Sequence, residues 1–181
     1  MLYNRIRLGL VLLFTGIGAL LHIEEGIATA WYLYAASALL LITHFLFGNV
    51  WIAFNQLKRG KLERAEQLLD QIRFPELLIA RNRAYYHFAR GMIWLQREQL
   101  KRGEAHLQKA VKLGLSRETD RALAQLNLAH LYYLQGDLSR SLEHARATEA
   151  EEADDLMIRE KLDELKKALN ARLKNPDAGK G

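Results

Sequence analysis

The chain repeats itself at an interval of 38 residues, and this internal repeat restricts the fold more than any other feature. Two sets of positions that a shift of 38 superposes hold only small residues: Ala53, Gly91 and Ala129, and, 12 positions later in each unit, Ala65, Gly103 and Ser141. Small residues are needed where two helix backbones cross closely, so each unit is predicted to be a pair of packed helices. Stacked pairs bury a continuous core that no pair buries alone, which predicts an all-α solenoid.

The repeat resembles the tetratricopeptide repeat (TPR), a family built from such helix pairs. Besides the small residues, the matching features are an aromatic residue three positions after the first small one and a glycine in the turn: Trp94, Tyr132, Gly60 and Gly136. The period is longer than the ~34 residues usual in the family. Gln56 replaces the aromatic residue in the first unit, and Glu98 replaces the glycine in the second. The resemblance implies three helix pairs over residues 48–149.

Residues 150–174 are predicted to form one further helix that caps the solenoid. Four apolar residues recur there at helical spacing among polar neighbours: Ile158, Leu162, Leu165 and Leu169. A helix with one apolar stripe and a polar outer face is what the end of a repeat stack requires. The last residues, 175–181, are expected to be disordered.

The N-terminal residues 1–54 are apolar, whereas the remainder is densely charged. Residues 8–54 contain two acidic side chains, Glu24 and Glu25, and no lysine or arginine. This composition predicts a two-helix transmembrane hairpin, with spans at about residues 6–23 and 27–50. A cleaved signal peptide is one alternative, but no small-residue cleavage site is suitably placed. A buried hairpin in a soluble protein is the other, and it would need a large apolar partner surface.

Charges beside the two predicted spans determine their expected orientation. Arg5 and Arg7 precede the first span, and four basic residues follow the second: Lys58, Arg59, Lys61 and Arg64. The connecting loop, 24–26, contains no basic residue. By the positive-inside rule, both termini and the repeat domain lie in the cytoplasm, and the loop Glu24–Gly26 is external. The expected location is a bacterial inner membrane.

The sequence contains no pattern that indicates an enzyme. It has no cysteine, no phosphate-binding glycine-rich loop and no nucleophile motif. His22 and His44 would lie at different depths in the hairpin, which argues against a haem held between them. We therefore predict no catalytic residue, no cofactor and no metal site. An accessory subunit whose histidines bind a cofactor is kept as an alternative.

The resemblance to the TPR family implies a concave groove, lined by the first helix of each pair, that binds partner proteins. The corresponding residues are Tyr85, Phe88, Met92, Leu123, Leu126, Asn127, His130 and Tyr133. Some members hold a C-terminal carboxylate with a set of Lys, Arg and Asn residues, of which only Asn127 has a counterpart here. The expected ligand is therefore an apolar helix or an extended apolar segment. Alternatively, the chain's own C-terminal helix fills the groove.

A basic patch is predicted on the second unit, formed by Arg81, Arg83, Arg90, Arg97, Lys101 and Arg102. Arg83, Arg90 and Arg97 recur every seven residues, which places them along one side of a helix. The patch is either a solvated face with local ion pairs or a site for anionic lipid headgroups or an acidic partner. Nucleic acid is not expected, because the net charge is only +5 and the chain has a predicted anchor.

Together these features predict a non-catalytic, membrane-anchored TPR scaffold for protein–protein interaction. The leading hypothesis is a subunit or assembly factor of a membrane complex. The alternative from the same class is an adaptor that recruits soluble clients to the membrane. Association of the chain with copies of itself is left open.

Overall fold

The computed structural model of the protein describes residues 2–47 and 49–174, the side chains of residues 2–5, 7, 8 and 43–47 excepted. Over these residues it contains nine α-helices, one 3₁₀ turn and no strand, which confirms the all-α class. The predicted disordered tail, 175–181, lies outside the described residues, as does the side chain of His44.

Consecutive helices pack against each other in pairs, α1 with α2, α3 with α4, α5 with α6 and α7 with α8. The ninth helix packs against both α7 and α8. A 3₁₀ turn at Pro75–Leu77 lies between α4 and α5. The helices are α1 (Leu2–Glu25), α2 (Ile27–Phe47), α3 (Val50–Lys58), α4 (Leu62–Asp70), α5 (Ala80–Gln96), α6 (Leu100–Leu113), α7 (Glu118–Gln135), α8 (Leu138–Ala150) and α9 (Leu156–Lys174).

The first two helices form a hairpin that turns at Gly26, whose φ of +84° favours glycine. Their contact includes a small polar cluster, in which the Ser37 hydroxyl donates to the carbonyl of Val11 at 3.1 Å. The Thr15 hydroxyl in turn donates to the Ser37 oxygen at 3.1 Å. These bonds satisfy a serine that is almost fully buried between two apolar helices.

The prediction that this hairpin spans a membrane is not confirmed. In the part of the chain that the structure describes, no helix is long and apolar enough to cross a bilayer. The hairpin nevertheless leaves much of its apolar surface open: Leu12 is 74% exposed and Ile23 is 83% exposed. Further large apolar side chains on it are exposed as well, among them Leu20, Ile27, Trp31, Leu39 and Ile42.

Each of the three pairs from α3 to α8 makes its turn in the same way. Gly60, Glu98 and Gly136 stand 38 residues apart and have positive φ values of 72°, 58° and 81°. The amide that follows each of them donates to the carbonyl five residues earlier at 2.9 Å: Lys61 to Gln56, Gln99 to Trp94 and Asp137 to Tyr132. This is the hydrogen bond of a Schellman motif, which ends a helix at a left-handed residue. The interval in the sequence is therefore also an interval in backbone geometry.

The small residues of the repeat are buried where the two helices of a pair cross. A Cβ atom at Gly91 would lie 2.7 Å from Cγ of Leu107, and one at Gly103 would lie 2.6 Å from Cδ2 of Leu95. In the third pair the Ser141 hydroxyl donates to the carbonyl of Ala129 at 2.7 Å. Close approach of the backbones is thus the physical reason for small residues at these positions.

Apolar side chains of the repeats form two buried clusters. The larger one joins α3 to α7. The smaller one lies between α7, α8 and α9 and contains the four apolar residues predicted for the last helix: Ile158, Leu162, Leu165 and Leu169. The ninth helix therefore covers the apolar side that α7 and α8 would otherwise expose.

Candidate interaction groove

A concave groove lies between α5, α7 and α9. It consists of two adjoining depressions of about 390 and 400 Å³. Both are lined by the same four residues from the three helices: Met92, Asn127, His130 and Lys161. A groove of this size, with mostly apolar walls and a few polar groups, is suited to binding a segment of another molecule.

One half of the groove is closed on one side by the C-terminal helix. Its lining adds Leu123 and Leu126 of α7 and Met157 and Leu165 of α9. The other half continues between α5 and α7 along Leu95, Leu131 and Leu134. The ninth helix thus forms one wall of the groove and does not occupy the space between α5 and α7.

Five of the eight residues predicted for the groove line it: Met92, Leu123, Leu126, Asn127 and His130. The other three lie elsewhere. Phe88 is fully buried against Phe54, with ring centroids 5.7 Å apart. Tyr85 is buried in the same core, and Tyr133 packs beneath Arg172 of α9, whose guanidinium lies 5.3 Å from the ring centroid.

The wall that α9 contributes was missed in the sequence. The stripe from Ile158 to Leu169 indicated only that this helix is amphipathic. Met157, Lys161 and Glu164 lie beside that stripe, and only the docking of α9 on α7 turns them toward the groove. No signal in the residue pattern distinguishes this arrangement from a cap that points away.

Polar groups on the groove floor differ in their partners. The Asn127 side-chain amide donates to the carbonyl of Leu123 at 2.7 Å, so it is turned back along its own helix. Lys161 forms no ion pair with any acidic group that the structure describes. It therefore contributes a positive charge to a groove whose other lining is largely apolar.

The predicted basic patch is divided among local contacts. Arg90 pairs with Asp70 at 2.6 Å, and Arg97 pairs with Glu66, both acids being on α4. Arg102 lies over the ring of Trp94, with its guanidinium 4.9 Å from the centroid, and Arg83 donates to the carbonyl of Glu76 at 3.2 Å. Arg81 and Lys101 are exposed. These pairings favour a solvated face with local ion pairs over a single anion site.

A buried polar contact joins the first helices of all three pairs. The Tyr85 hydroxyl on α5 donates to Oδ2 of Asp120 on α7 at 2.8 Å. Nζ of Lys58, at the end of α3, lies 3.5 Å from the other carboxylate oxygen. Burial raises the pKa of Tyr85, and its hydrogen bond to Asp120 raises it further. The tyrosine therefore stays a neutral donor to the carboxylate.

Two histidines on α5 and α6 meet side by side. Nδ1 of His87 lies 3.0 Å from Nδ1 of His106. Burial, with the charge of Lys109 nearby, lowers the pKa of His87 to about 4, and burial and its neighbour do the same for His106. Two neutral imidazoles form this bond only as different tautomers, one donating and the other accepting.

The same contact recurs one unit later. Gln125 and His144 stand 38 residues after His87 and His106, and His144 Nδ1 lies 2.7 Å from the Gln125 side-chain oxygen. Recurrence in two pairs indicates a structural contact between neighbouring helices. Within the residues that the structure describes, no three His, Cys, Asp or Glu side chains gather as metal ligands would.

The groove offers apolar contact, hydrogen-bonding groups and one unpaired lysine, which are the means of binding a ligand. Comparison with protein families, with curated proteins and with solved structures gives no match to this chain. Function is therefore argued from the residues and their geometry alone.

Proposed function

We propose that this protein is a non-catalytic, membrane-anchored scaffold of the TPR type. The hairpin α1–α2 holds it in a lipid bilayer, and the groove between α5, α7 and α9 binds an apolar segment of a partner protein. In this role it is a subunit or assembly factor of a membrane complex. The open apolar surface of the hairpin is the observation that carries the proposal.

That surface is too extensive to face water at little cost. Removing one large aliphatic or aromatic side chain from water contributes roughly 1.5–3 kcal/mol. Leu12, Leu20 and Ile23 on α1 and Trp31 and Leu39 on α2 are all exposed. Lipid covers such a surface without a dedicated partner, and the aromatic residue near the turn suits the membrane interface.

Charge supports an orientation with both termini and the repeats in the cytoplasm. The turn of the hairpin, 24–26, carries two carboxylates and no basic residue, whereas lysines and arginines begin again at Lys58. Basic residues are retained on the cytoplasmic side. The proposed location is accordingly a bacterial inner membrane, with the loop Glu24–Gly26 outside.

The TPR assignment is supported by geometry that recurs with the sequence period. The left-handed turn residues, the close crossings at Gly91 and Gly103, and the paired contacts of His106 and His144 all recur or correspond at 38-residue intervals. In such a stack the first helices of the pairs line the concave side, and here α5 and α7 line the groove. An apolar helix or extended segment fits its walls, and the unpaired charge of Lys161 favours a segment that also carries an acidic group.

Cysteine labelling tests the anchor, because the natural chain contains no cysteine to interfere. Glu24→Cys and Glu63→Cys are made in separate full-length proteins and treated in intact cells with a membrane-impermeant maleimide. The proposal predicts that Glu24→Cys is labelled from outside and that Glu63→Cys is labelled only after lysis. Release of the protein from membranes by alkaline carbonate would overturn the anchor.

Co-purification tests the scaffold function. The tagged chain is isolated in mild detergent at its native level, and its partners are identified by mass spectrometry and sized on native gels. We expect a stoichiometric set of membrane proteins. Leu134→Glu, in the groove, should remove the partner, whereas Leu173→Glu, at a similarly exposed site outside the groove, should not. A lone monomer, a homo-oligomer or only sparse soluble clients would contradict the proposal, the last in favour of an adaptor.

A further inference from the structure

The connection between α4 and α5, residues 71–79, presents two large apolar side chains to solvent. Phe74 is 56% exposed and Leu77 is 53% exposed, on either side of Pro75. The same connection is held to the core by Leu78, which is almost completely buried, and by a 3₁₀ turn at Pro75–Leu77. The two exposed side chains are therefore displayed from a fixed position.

This connection begins beside the place where the chain leaves the hairpin. The side-chain amide of Asn49 donates to Oε1 of Gln71 at 3.2 Å. Asn49 comes two residues after Phe47, the last residue of α2, and Gln71 is the first residue after α4. On the Asn49 side of this bond, Trp51 and Ile52 in the first turn of α3 are also exposed. Four exposed apolar side chains thus stand on the two segments that this hydrogen bond joins.

The charges around the connection are mostly positive. Arg73 and Arg81 flank it, both are exposed, and neither pairs with an acidic group among the residues that the structure describes. Arg90 and Arg97, farther along α5, are by contrast paired with acids on α4. Glu76 is the one acid between positions 71 and 81 in the sequence. Apolar side chains flanked by unpaired arginines are the combination that binds the surface of an anionic membrane.

We propose that the connection 71–79, together with the first turn of α3, is a second membrane contact. Phe74 and Leu77 enter the headgroup region, and Arg73 and Arg81 bind anionic lipid headgroups. This inference rests on the proposed function, because the hairpin brings Asn49, and with it the connection, to the bilayer. A bilayer is preferred to a protein as the occupant since the surface adjoins the segment that lipid already covers.

The other two connections between pairs provide an internal comparison. Residues 114–117 expose no large apolar side chain, and Leu115 there is buried. Residues 151–155 carry four acids, Glu151, Glu152, Asp154 and Asp155, which anionic lipid would repel. The combination of exposed apolar residues and positive charge therefore belongs to the connection beside the hairpin.

The test places a fluorescent reporter at three positions of the full-length protein reconstituted in phospholipid vesicles. Single variants Leu77→Cys, Leu134→Cys and Leu39→Cys are labelled with an environment-sensitive dye, which is straightforward because the chain has no cysteine. Leu134 is the matched control, 55% exposed against 53% for Leu77, and Leu39 reports on the hairpin. Quenching by nitroxide-bearing lipid is measured in vesicles of phosphatidylcholine with and without phosphatidylglycerol.

We expect lipid quenching at Leu39 and Leu77 to be several-fold stronger than at Leu134. Phosphatidylglycerol should increase quenching at Leu77. The double substitution Arg73→Gln/Arg81→Gln should abolish that increase, whereas Lys101→Gln, an exposed basic residue outside the connection, should leave it unchanged.

Each contrary outcome points to a different failure. Quenching at Leu77 no stronger than at Leu134, with Leu39 quenched, would overturn the second contact and leave the anchor. No quenching at Leu39 would overturn the proposed anchor itself. Quenching at Leu77 that ignores both phosphatidylglycerol and the arginine substitutions would overturn the role of the headgroups.

Discussion

The Tyr85 hydroxyl donates a 2.8 Å hydrogen bond to Oδ2 of Asp120, a carboxylate that is only 2% exposed. The bond joins α5 to α7, and Lys58 at the end of α3 lies 3.5 Å from the second oxygen. A buried carboxylate is costly unless it is paired and hydrogen-bonded. The three first helices of the repeat pairs are thus connected through one acid.

Removal of that hydroxyl should destabilise the repeats. Tyr85→Phe leaves a buried carboxylate without one of its donors, which costs about 1–3 kcal/mol of unfolding free energy. Urea unfolding of the detergent-purified chain, followed by tryptophan fluorescence, measures the change. Tyr133→Phe is the matched control and should have little effect. Equal stability of the two variants would show that the bond to Asp120 contributes nothing.

Close helix crossing in the second pair leads to a prediction at Gly91. Alanine there places Cβ 2.7 Å from Cγ of Leu107, and overpacking of this kind costs about 1–3 kcal/mol. Gly9→Ala is the control, because no atom lies within 4 Å of a Cβ at that position in the hairpin. The same urea titration should show a lower midpoint for Gly91→Ala alone.

A double-mutant cycle separates this clash from other effects of the alanine. If Cβ conflicts with Leu107, Gly91→Ala should cost less in a Leu107→Ala background than in the natural chain. Additive costs of the two substitutions would mean that the crossing has room for a methyl group, contrary to the distance above.

The turn of the second pair contains a side chain where the other two have glycine. Glu98 has φ of 58°, and a non-glycine residue in this region is disfavoured by roughly 1–2 kcal/mol. Glu98→Gly should therefore raise the free energy of unfolding by about 1 kcal/mol. Gly136→Ala should lower it by a similar amount. A destabilising Glu98→Gly would indicate that the glutamate makes contacts that outweigh the strain.

Period and residue size were enough to predict much of the fold. Gly91 and Gly103 indicated close crossings, and Gly60 and Gly136 marked turns that the structure places there, because such constraints act locally on the backbone. Interactions between distant helices could not be read in this way. Tyr85 occupies a position that faces a groove in the resembling family, yet here it is buried because Asp120, 35 residues later, accepts its hydrogen bond.

The groove itself was predicted only in part for the same reason. Met92, Asn127 and His130 were identified from their positions in the repeat, whereas Met157 and Lys161 depend on how α9 docks. The docking angle of a terminal helix is set by the fit of side chains such as Leu162 and Leu165 on α7 and α8, and fit has no signature in a single sequence. Partner-induced changes in the groove are outside the reach of either approach.

The contact between His87 and His106 should make stability depend on pH. Burial is the main cause that lowers both pKa values from 6.5 to about 4 in the folded chain, so the folded state favours neutral rings. The unfolded chain takes up protons first as the pH falls through about 6.5. Stability from this pair is therefore complete above about pH 6.5 and is lost progressively as the pH falls toward 4. His87→Gln reproduces the Gln125–His144 contact of the next pair, in which one ring is replaced by an amide. We expect it to retain the hydrogen bond to His106 and to flatten the decline of the urea midpoint over this range. His130→Gln is the control, since that ring is exposed. A decline in His87→Gln as steep as in the natural chain would assign the pH dependence to other groups.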